Sequence, residues 1–273
     1  MSYMSLQNKV IIVTGGSGGI GSAIVNQLLD CEANIVSVFC NNYPSEQSSE
    51  NILCFKADLE KSEEWDRLIL FVLKKYGKID ILINCAGYLE PGDFLSIEEN
   101  KIKKMIETNF ISVIIGIHKI LEIFQKQGSG HIINIGSLGG IVPMPYTSIY
   151  CATKFALRGF SLSLAQELKG TGIKISLLTT DSVVTKMLDR ESENSIPTIS
   201  FYNDPLPPQL IANEVVQIID KPKVEKTITR YRKLPSIVLG AFSNLYQFIY
   251  PIIEKRSEKK REEYLKRKMR EIN

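Results

Sequence analysis

The eight residues Thr14-Gly15-Gly16-Ser17-Gly18-Gly19-Ile20-Gly21 hold five glycines, with the apolar run Val10–Val13 directly before them and a helix-like segment directly after. Glycine permits positive φ and lets a backbone approach a ligand closely. The N-terminus of a helix adds unpaired N–H groups and positive potential. Strand, glycine loop and helix in that order predict a cradle for a dinucleotide pyrophosphate; a plain glycine-rich turn is the simpler alternative.

The rest of the chain repeats the strand–helix alternation. Strand-like runs fall at Val10–Val13, Ile35–Phe39, Ile52–Phe55, Ile79–Ile83, Ile132–Ile135, Ile173–Leu178 and Lys226–Tyr231. Most are nearly continuous in Ile, Val and Leu, as strands are when helices cover both faces of a parallel sheet. Helical stretches lie between them at Ile20–Leu29, Glu63–Tyr76, Ile102–Gln125 and Ser148–Leu168. This predicts an α/β fold: a doubly wound, mostly parallel sheet of Rossmann type with helices on both faces, binding ligands beyond the carboxyl ends of its strands. Residues 1–232 are expected to form the dinucleotide-binding and catalytic domain. A loop or lid is expected at about 186–210, where Asp189–Gln209 holds Pro197, Pro205, Pro207 and Pro208.

Charge and cysteine usage narrow the function classes. A net charge of +3 is too small to argue for nucleic acid, and nine Lys/Arg against five Glu from Glu254 onward place it in the tail. Cys31, Cys40, Cys54, Cys85 and Cys151 show no CxxC spacing, which disfavours zinc and a disulfide framework. Cys40, Cys54 and Cys85 read as small, reduced core residues. His118 and His131 are isolated, so no metal is expected. The opening MSYMSLQNKV lacks the basic and apolar segments of a signal peptide. The expected location is cytoplasmic.

Tyr150 and Lys154 stand four residues apart at the start of a helical segment, and therefore on one face. A phenol is a poor general base near neutrality, and an adjacent ammonium stabilises its anion. Ser137 follows the strand Ile132–Ile135 through Gly136, which places a hydroxyl at a strand's carboxyl end. Each feature alone arises often by chance; together with the glycine loop they point to proton transfer beside a bound dinucleotide.

With Gly15, Gly19 and Gly21 after Thr14, the loop spells TGxxxGxG, and with Tyr150-xxx-Lys154 it resembles the short-chain dehydrogenase/reductase family over roughly residues 6–220. The resemblance implies an NAD(P)-dependent oxidoreductase acting on CH–OH groups or the corresponding carbonyls. It makes Tyr150 the proton donor and acceptor, Ser137 the anchor of the substrate oxygen, and Lys154 the residue that holds the cofactor ribose and sets the phenol's pKa. Asn109, in Thr108-Asn109-Phe110, matches an asparagine that holds a relay water; in isolation it reads equally as a polar kink in a buried helix. The resemblance assigns the cofactor to Gly15, Ser17, Gly18, Gly19, Ile20, Gly21, Asn41, Asp58, Leu59, Asn84, Ala86, Gly87, Tyr150, Lys154, Val183 and Thr185. For Asp58 a turn or helix-capping role is the alternative. Asn84-Cys85-Ala86-Gly87 resembles the NNAG motif, with cysteine as its second residue. After Ile173–Leu178 the usual PGxVxT is altered: Thr180 and Asp181 replace Pro and Gly, while Val183 and Thr185 remain. The second strand ends Phe39-Cys40-Asn41-Asn42 with no carboxylate to repel a 2′-phosphate, which leans to NADP over NAD.

Leu234–Ile253 contains no charged residue. Three readings stay open for residues 233–273: helices walling an apolar pocket or a subunit contact, a peripheral membrane anchor, and a spanning helix. The helices Ile102–Gln125 and Ser148–Leu168 carry more apolar residues than one sheet face needs, and the family pairs through such helices; a homodimer or homotetramer is expected. The leading function is reversible reduction of an apolar ketone or aldehyde. A nucleotide-binding regulator with little turnover and a nucleotide-sugar epimerase or dehydratase are the alternatives.

Overall fold

The computed structural model describes residues 5–41, 49–193 and 199–272. Seven strands form one sheet in the order β3-β2-β1-β4-β5-β6-β7, every neighbouring pair parallel. They are β1 Val10–Thr14, β2 Asn34–Phe39, β3 Ile52–Lys56, β4 Ile81–Asn84, β5 Gly130–Ser137, β6 Ile173–Thr180 and β7 Glu225–Thr227. The chain enters at the middle, winds out to β3, and returns to start again at β4. The crevice between the carboxyl ends of β1 and β4 is therefore the switch point where such sheets bind ligands.

Alternation along the strands builds a core on each face. Val10 and Ile12 of β1 face the cluster holding Trp65, Leu68 and Val72 of α2 (Ser62–Tyr76), Ile117 and Phe124 of α4 (Ser112–Gln127), and Leu157 of α5 (Ser148–Glu167). Ile11 and Val13 face the other way, against Ile24 and Leu28 of α1 (Gly19–Leu29) and Ile211 and Val215 of α7 (Pro208–Asp220). The doubly wound parallel sheet with helices on both faces is thus the architecture observed. α2 shows its boundaries in its residues: Glu63 and Glu64 sit in its first turn, Lys74 and Lys75 in its last, and Gly77 closes it at φ 73°.

Several expectations need correction. The strand expected at Lys226–Tyr231 starts one residue earlier and is shorter: β7 stops at Thr227, and α8 (Arg230–Ala241) begins three residues later. Ile102–Gln125 is not one helix. α3 (Glu99–Ile106) passes into a π-helical turn at Glu107–Ile111 before α4 starts. The expected loop at Asp189–Gln209 holds the end of α6 (Lys186–Glu193), a 3₁₀ turn at Ile199–Phe201, and the start of α7; its residues 194–198 lie outside the described ones. Cys40 is exposed rather than part of the core. α9 (Ser243–Ile272) completes the chain, and among the described residues no helix is long and apolar enough to cross a membrane.

Candidate active site

β1 delivers Thr14 to the switch point, and its Oγ1 accepts from the backbone N–H groups of Cys85 (3.1 Å) and Ala86 (3.2 Å). That clamp holds the segment after β4 against the glycine loop. Gly15 turns at φ 67°, where a Cβ would lie 2.8 Å from Ala86 Cα. A Cβ on Gly19 would lie 2.7 Å from the Thr185 methyl, so the loop and the segment after β6 touch. Gly18 caps α1 without a side-chain bond, and the first turn of α1 holds no acid. Its leading N–H groups thus face the crevice with no competing anion. The cradle suits a dinucleotide pyrophosphate.

Around it the other expected cofactor residues fall in four groups. Asn84 Nδ2 donates to Asn134 Oδ1 (2.9 Å), and Asn134 Nδ2 donates to Ser161 Oγ (2.9 Å), a buried chain beneath the site. Asn41 stands exposed at the tip of β2, while Asn42 lies outside the described residues. Asp58 is half-buried. Its carboxylate accepts from Glu60 N–H (3.3 Å) and pairs with Lys61 at 3.7 Å, as a turn residue's would, while the Leu59 carbonyl accepts from Trp65 Nε1 (3.2 Å). Val183 and Thr185 flank the floor of the cavity, with Thr185 Oγ1 donating to the Val183 carbonyl (3.1 Å).

Ser137 ends β5, and its Oγ accepts from Gly139 N–H at 3.1 Å, which starts the 3₁₀ turn Leu138–Gly140. α5 brings Tyr150 and Lys154 alongside. Burial pushes the Tyr150 phenol well above its ordinary range; the Ser137 hydroxyl, its hydrogen-bonding neighbour, acts in the opposite direction. Burial also lowers the Lys154 ammonium to about 8. Lys154 Nζ donates to the Ile135 carbonyl (3.1 Å) and lies 5.6 Å from the Tyr150 ring centre. One acceptor on a three-donor ammonium leaves N–H groups for a ribose.

Asn109 lies within the π-helical turn, fully buried. Its Oδ1 accepts from Tyr88 N–H (2.7 Å), and its Nδ2 donates to the Tyr88 carbonyl (2.8 Å) and to Thr153 Oγ1 (3.3 Å). The polar kink is real. It ties the segment after β4 to α5, one residue from Lys154.

Of these groups Ser137 and Tyr150 open on a cavity of about 470 Å³. Ser137 and Tyr150 line it together with Leu138, Val142, Met144, Leu239, Ile249 and Ile253. The last three come from α8 and α9, so the C-terminal helices wall the pocket. The altered motif after β6 has its explanation here. Thr180 Oγ1 donates to the Gly136 carbonyl (3.1 Å), and Asp181 forms an ion pair with Arg232 of α8. Sequence reasoning missed Arg232, Tyr202, Asn203 and Arg256 in this wall; the only hint was a carboxylate where the motif has glycine. It also missed the Thr14 clamp, although a hydroxyl at the end of β1 was a readable signal.

The short chain dehydrogenase family model matches residues 9–195. The chain belongs to the short chain dehydrogenase family. Among relatives of this dehydrogenase, an uncharacterized oxidoreductase of Staphylococcus saprophyticus is 32% identical over 244 residues, spanning 85% of this chain and 98% of its own. One of Listeria innocua is 30% identical over 233 residues, spanning 81% and 94%. A 3-ketoacyl-(acyl-carrier-protein) reductase of Brucella melitensis, solved with NADH, shares the fold at a TM-score of 0.72 and 24% identity, covering 83% of this chain and 99% of that one. The dehydrogenase is an NAD(P)-dependent oxidoreductase acting on CH–OH groups and the corresponding carbonyls, a reading favoured over a nucleotide-binding regulator.

Proposed function

We propose that this dehydrogenase reduces, and in reverse oxidises, an apolar carbonyl or alcohol substrate with Tyr150 as the acid–base group. The observation that carries the reading is that Ser137 and Tyr150 line one largely apolar cavity beside the glycine loop, with the buried Lys154 ammonium 5.6 Å behind the Tyr150 ring. The dinucleotide, when bound, supplies or accepts the hydride. The chain's own residues do the rest. The Ser137 hydroxyl donates to the substrate oxygen. The Tyr150 hydroxyl gives that oxygen its proton during reduction and takes one back during oxidation. Lys154 counters the rise that burial imposes on the phenol and holds the ribose. Asn109 positions the segment after β4 against α5 and, as the family resemblance implies, holds the relay water.

The cofactor assignment rests on the cradle of Gly15, Ser17, Gly18, Gly19, Ile20 and Gly21, with Asn41, Asp58, Leu59, Asn84, Ala86, Gly87, Val183 and Thr185 around it. NADP is preferred over NAD because Cys40 and Asn41, which close β2, carry no carboxylate. Residues 1–232 build the catalytic unit and 233–273 complete its pocket. Self-association as a dimer or tetramer uses α4 and α5; Phe155, exposed on α5, supports it. The reduced cysteines suit the cytoplasm. Peripheral membrane contact, where it occurs, uses the outward faces of α8 and α9, which expose Leu234, Phe242, Phe248 and Ile252 beside the basic tail.

The test is a screen of carbonyls with NADPH and with NADH, followed by Tyr150→Phe on the best substrate. Loss of about 10²–10⁴-fold in kcat with dinucleotide affinity unchanged is expected. More than half the wild-type rate in the variant removes Tyr150 from this role.

A further inference from the structure

Four ionisable side chains of opposite sign line the cavity: Asp181, Glu191, Arg232 and Arg256. Three of them are engaged. Asp181 pairs with Arg232 and accepts from Ser182 N–H at 2.8 Å. Arg232 also meets the Asn203 carboxamide oxygen, 3.1 Å from its Nε. Glu191 accepts from Ser200 Oγ at 2.6 Å.

Arg256 is different. Its guanidinium lies 4.5 Å from the centre of the Tyr202 ring, and among the described residues it has neither a carboxylate within ion-pair distance nor a hydrogen bond. Its neighbours one turn away on α9 are Ile252, Ile253, Lys259 and Lys260, none of them acidic. Asp204 feels its charge, but Asp204 pairs with Lys260 at 3.0 Å. A second guanidinium, Arg232, stands close enough for the charge of Arg256 to add to burial in lowering its pKa to about 10. Of the two neighbouring cations only Arg232 is paired with a carboxylate, Asp181.

Arg256 stands at the solvent-exposed mouth of the cavity, where a guanidinium held against an aromatic face keeps a planar fork of donors that matches an oxyanion. We propose that the substrate is a carboxylate-bearing amphiphile: its reacting carbon lies at Ser137 and Tyr150, its apolar body runs along Leu138, Val142, Leu239 and Ile253, and Arg256 receives its carboxylate. The proposal rests on the oxidoreductase reading of the same cavity and names the class of molecule that fits it.

Decanoate and decanamide, matched in length and differing in charge, are the probes. Each is titrated calorimetrically into the full-length protein saturated with NADP. Wild type is expected to bind decanoate about threefold to fivefold tighter than decanamide, and Arg256→Gln to bind the two alike. Arg256→Lys keeps a point charge without the fork and should retain part of the preference. Thermal unfolding verifies that both variants are folded. Equal binding of the two probes by wild type, or a full preference surviving in Arg256→Gln, overturns the proposal. Binding requires no turnover. A decanoate preference that depends on Arg256, in a protein that turns over no carbonyl or alcohol, would leave the Arg256 carboxylate site standing and sink the assignment of the reacting carbon to Ser137 and Tyr150 instead.

Discussion

Replacing Lys154 by methionine should make the dinucleotide-free protein more stable near neutral pH while weakening dinucleotide binding. Lys154 is 7% exposed, and burial lowers its pKa from 10.5 to about 8. Below pH 8 the amine is charged in both folded and unfolded chains, so the folded state bears the whole cost of a buried ammonium. Between pH 8 and 10.5 the folded chain has released the proton and the unfolded chain has kept it, so stability rises with pH until the cost is gone. At about 1.4 kcal/mol for each tenfold change in acidity, the cost below pH 8 is roughly 3 kcal/mol. Methionine fills similar space without charge but loses the bond to the Ile135 carbonyl, worth about 1 kcal/mol. The net gain of ~2 kcal/mol near pH 7 should raise the melting temperature by about 5 °C. Thermal unfolding of wild type and variant at pH 7 and pH 10.5, without dinucleotide, measures it. The gap should close at the higher pH, where both side chains are neutral. A variant less stable than wild type at pH 7, by an amount independent of pH, would refute the reasoning.

Asp181→Asn strands a mostly buried guanidinium and should cost about 3 kcal/mol; adding Arg232→Met should restore much of it, and simple additivity in a double-mutant cycle would deny the pairing. His131 is buried, its Nε2 lies 2.9 Å from Ser176 Oγ, and burial with Lys174 lowers its pKa to about 4. The unfolded chain therefore takes up a proton that the folded chain refuses as pH falls below 6.5, costing about 2 kcal/mol by pH 5. Urea midpoints at pH 7 and 5 should fall less for His131→Gln than for wild type, and equal falls would clear His131.

The sheet was legible because its signal is local: continuous apolar runs mark strands covered on both faces, and six of the seven fell within a few residues of where they were expected. The edge strand β7 was placed too far along because it is short: Glu225–Thr227 pair with β6, Ile228 N–H still reaches the Thr179 carbonyl, and α8 begins at Arg230. α7 was missed because the prolines before it read as a loop, although Pro207 caps that helix and Pro208 opens it, the position where a missing N–H costs nothing. The π-helical turn has the same composition as the helices it joins, and the residue Asn109 bonds from within it, Tyr88, lies 21 residues away. The glycine loop and the residues Ser137, Tyr150 and Lys154 could be found because their spacing is itself the motif. Arg232 could not, since its partner Asp181 is 51 residues distant and nothing in either segment announces the pair.

The contact between Gly19 and Thr185 bears on the order in which the two ligands enter. Ile20, on the glycine loop, and Thr185, at the foot of α6, both line the substrate cavity, and Thr185 rests on the loop at Gly19. A dinucleotide moored on that loop would form part of the cavity's floor, and a substrate already seated there would stand across its route. Such a wall imposes a compulsory sequence, dinucleotide on first and off last. Its kinetic signature is an oxidised dinucleotide that inhibits competitively against the reduced one, while the alcohol product does not.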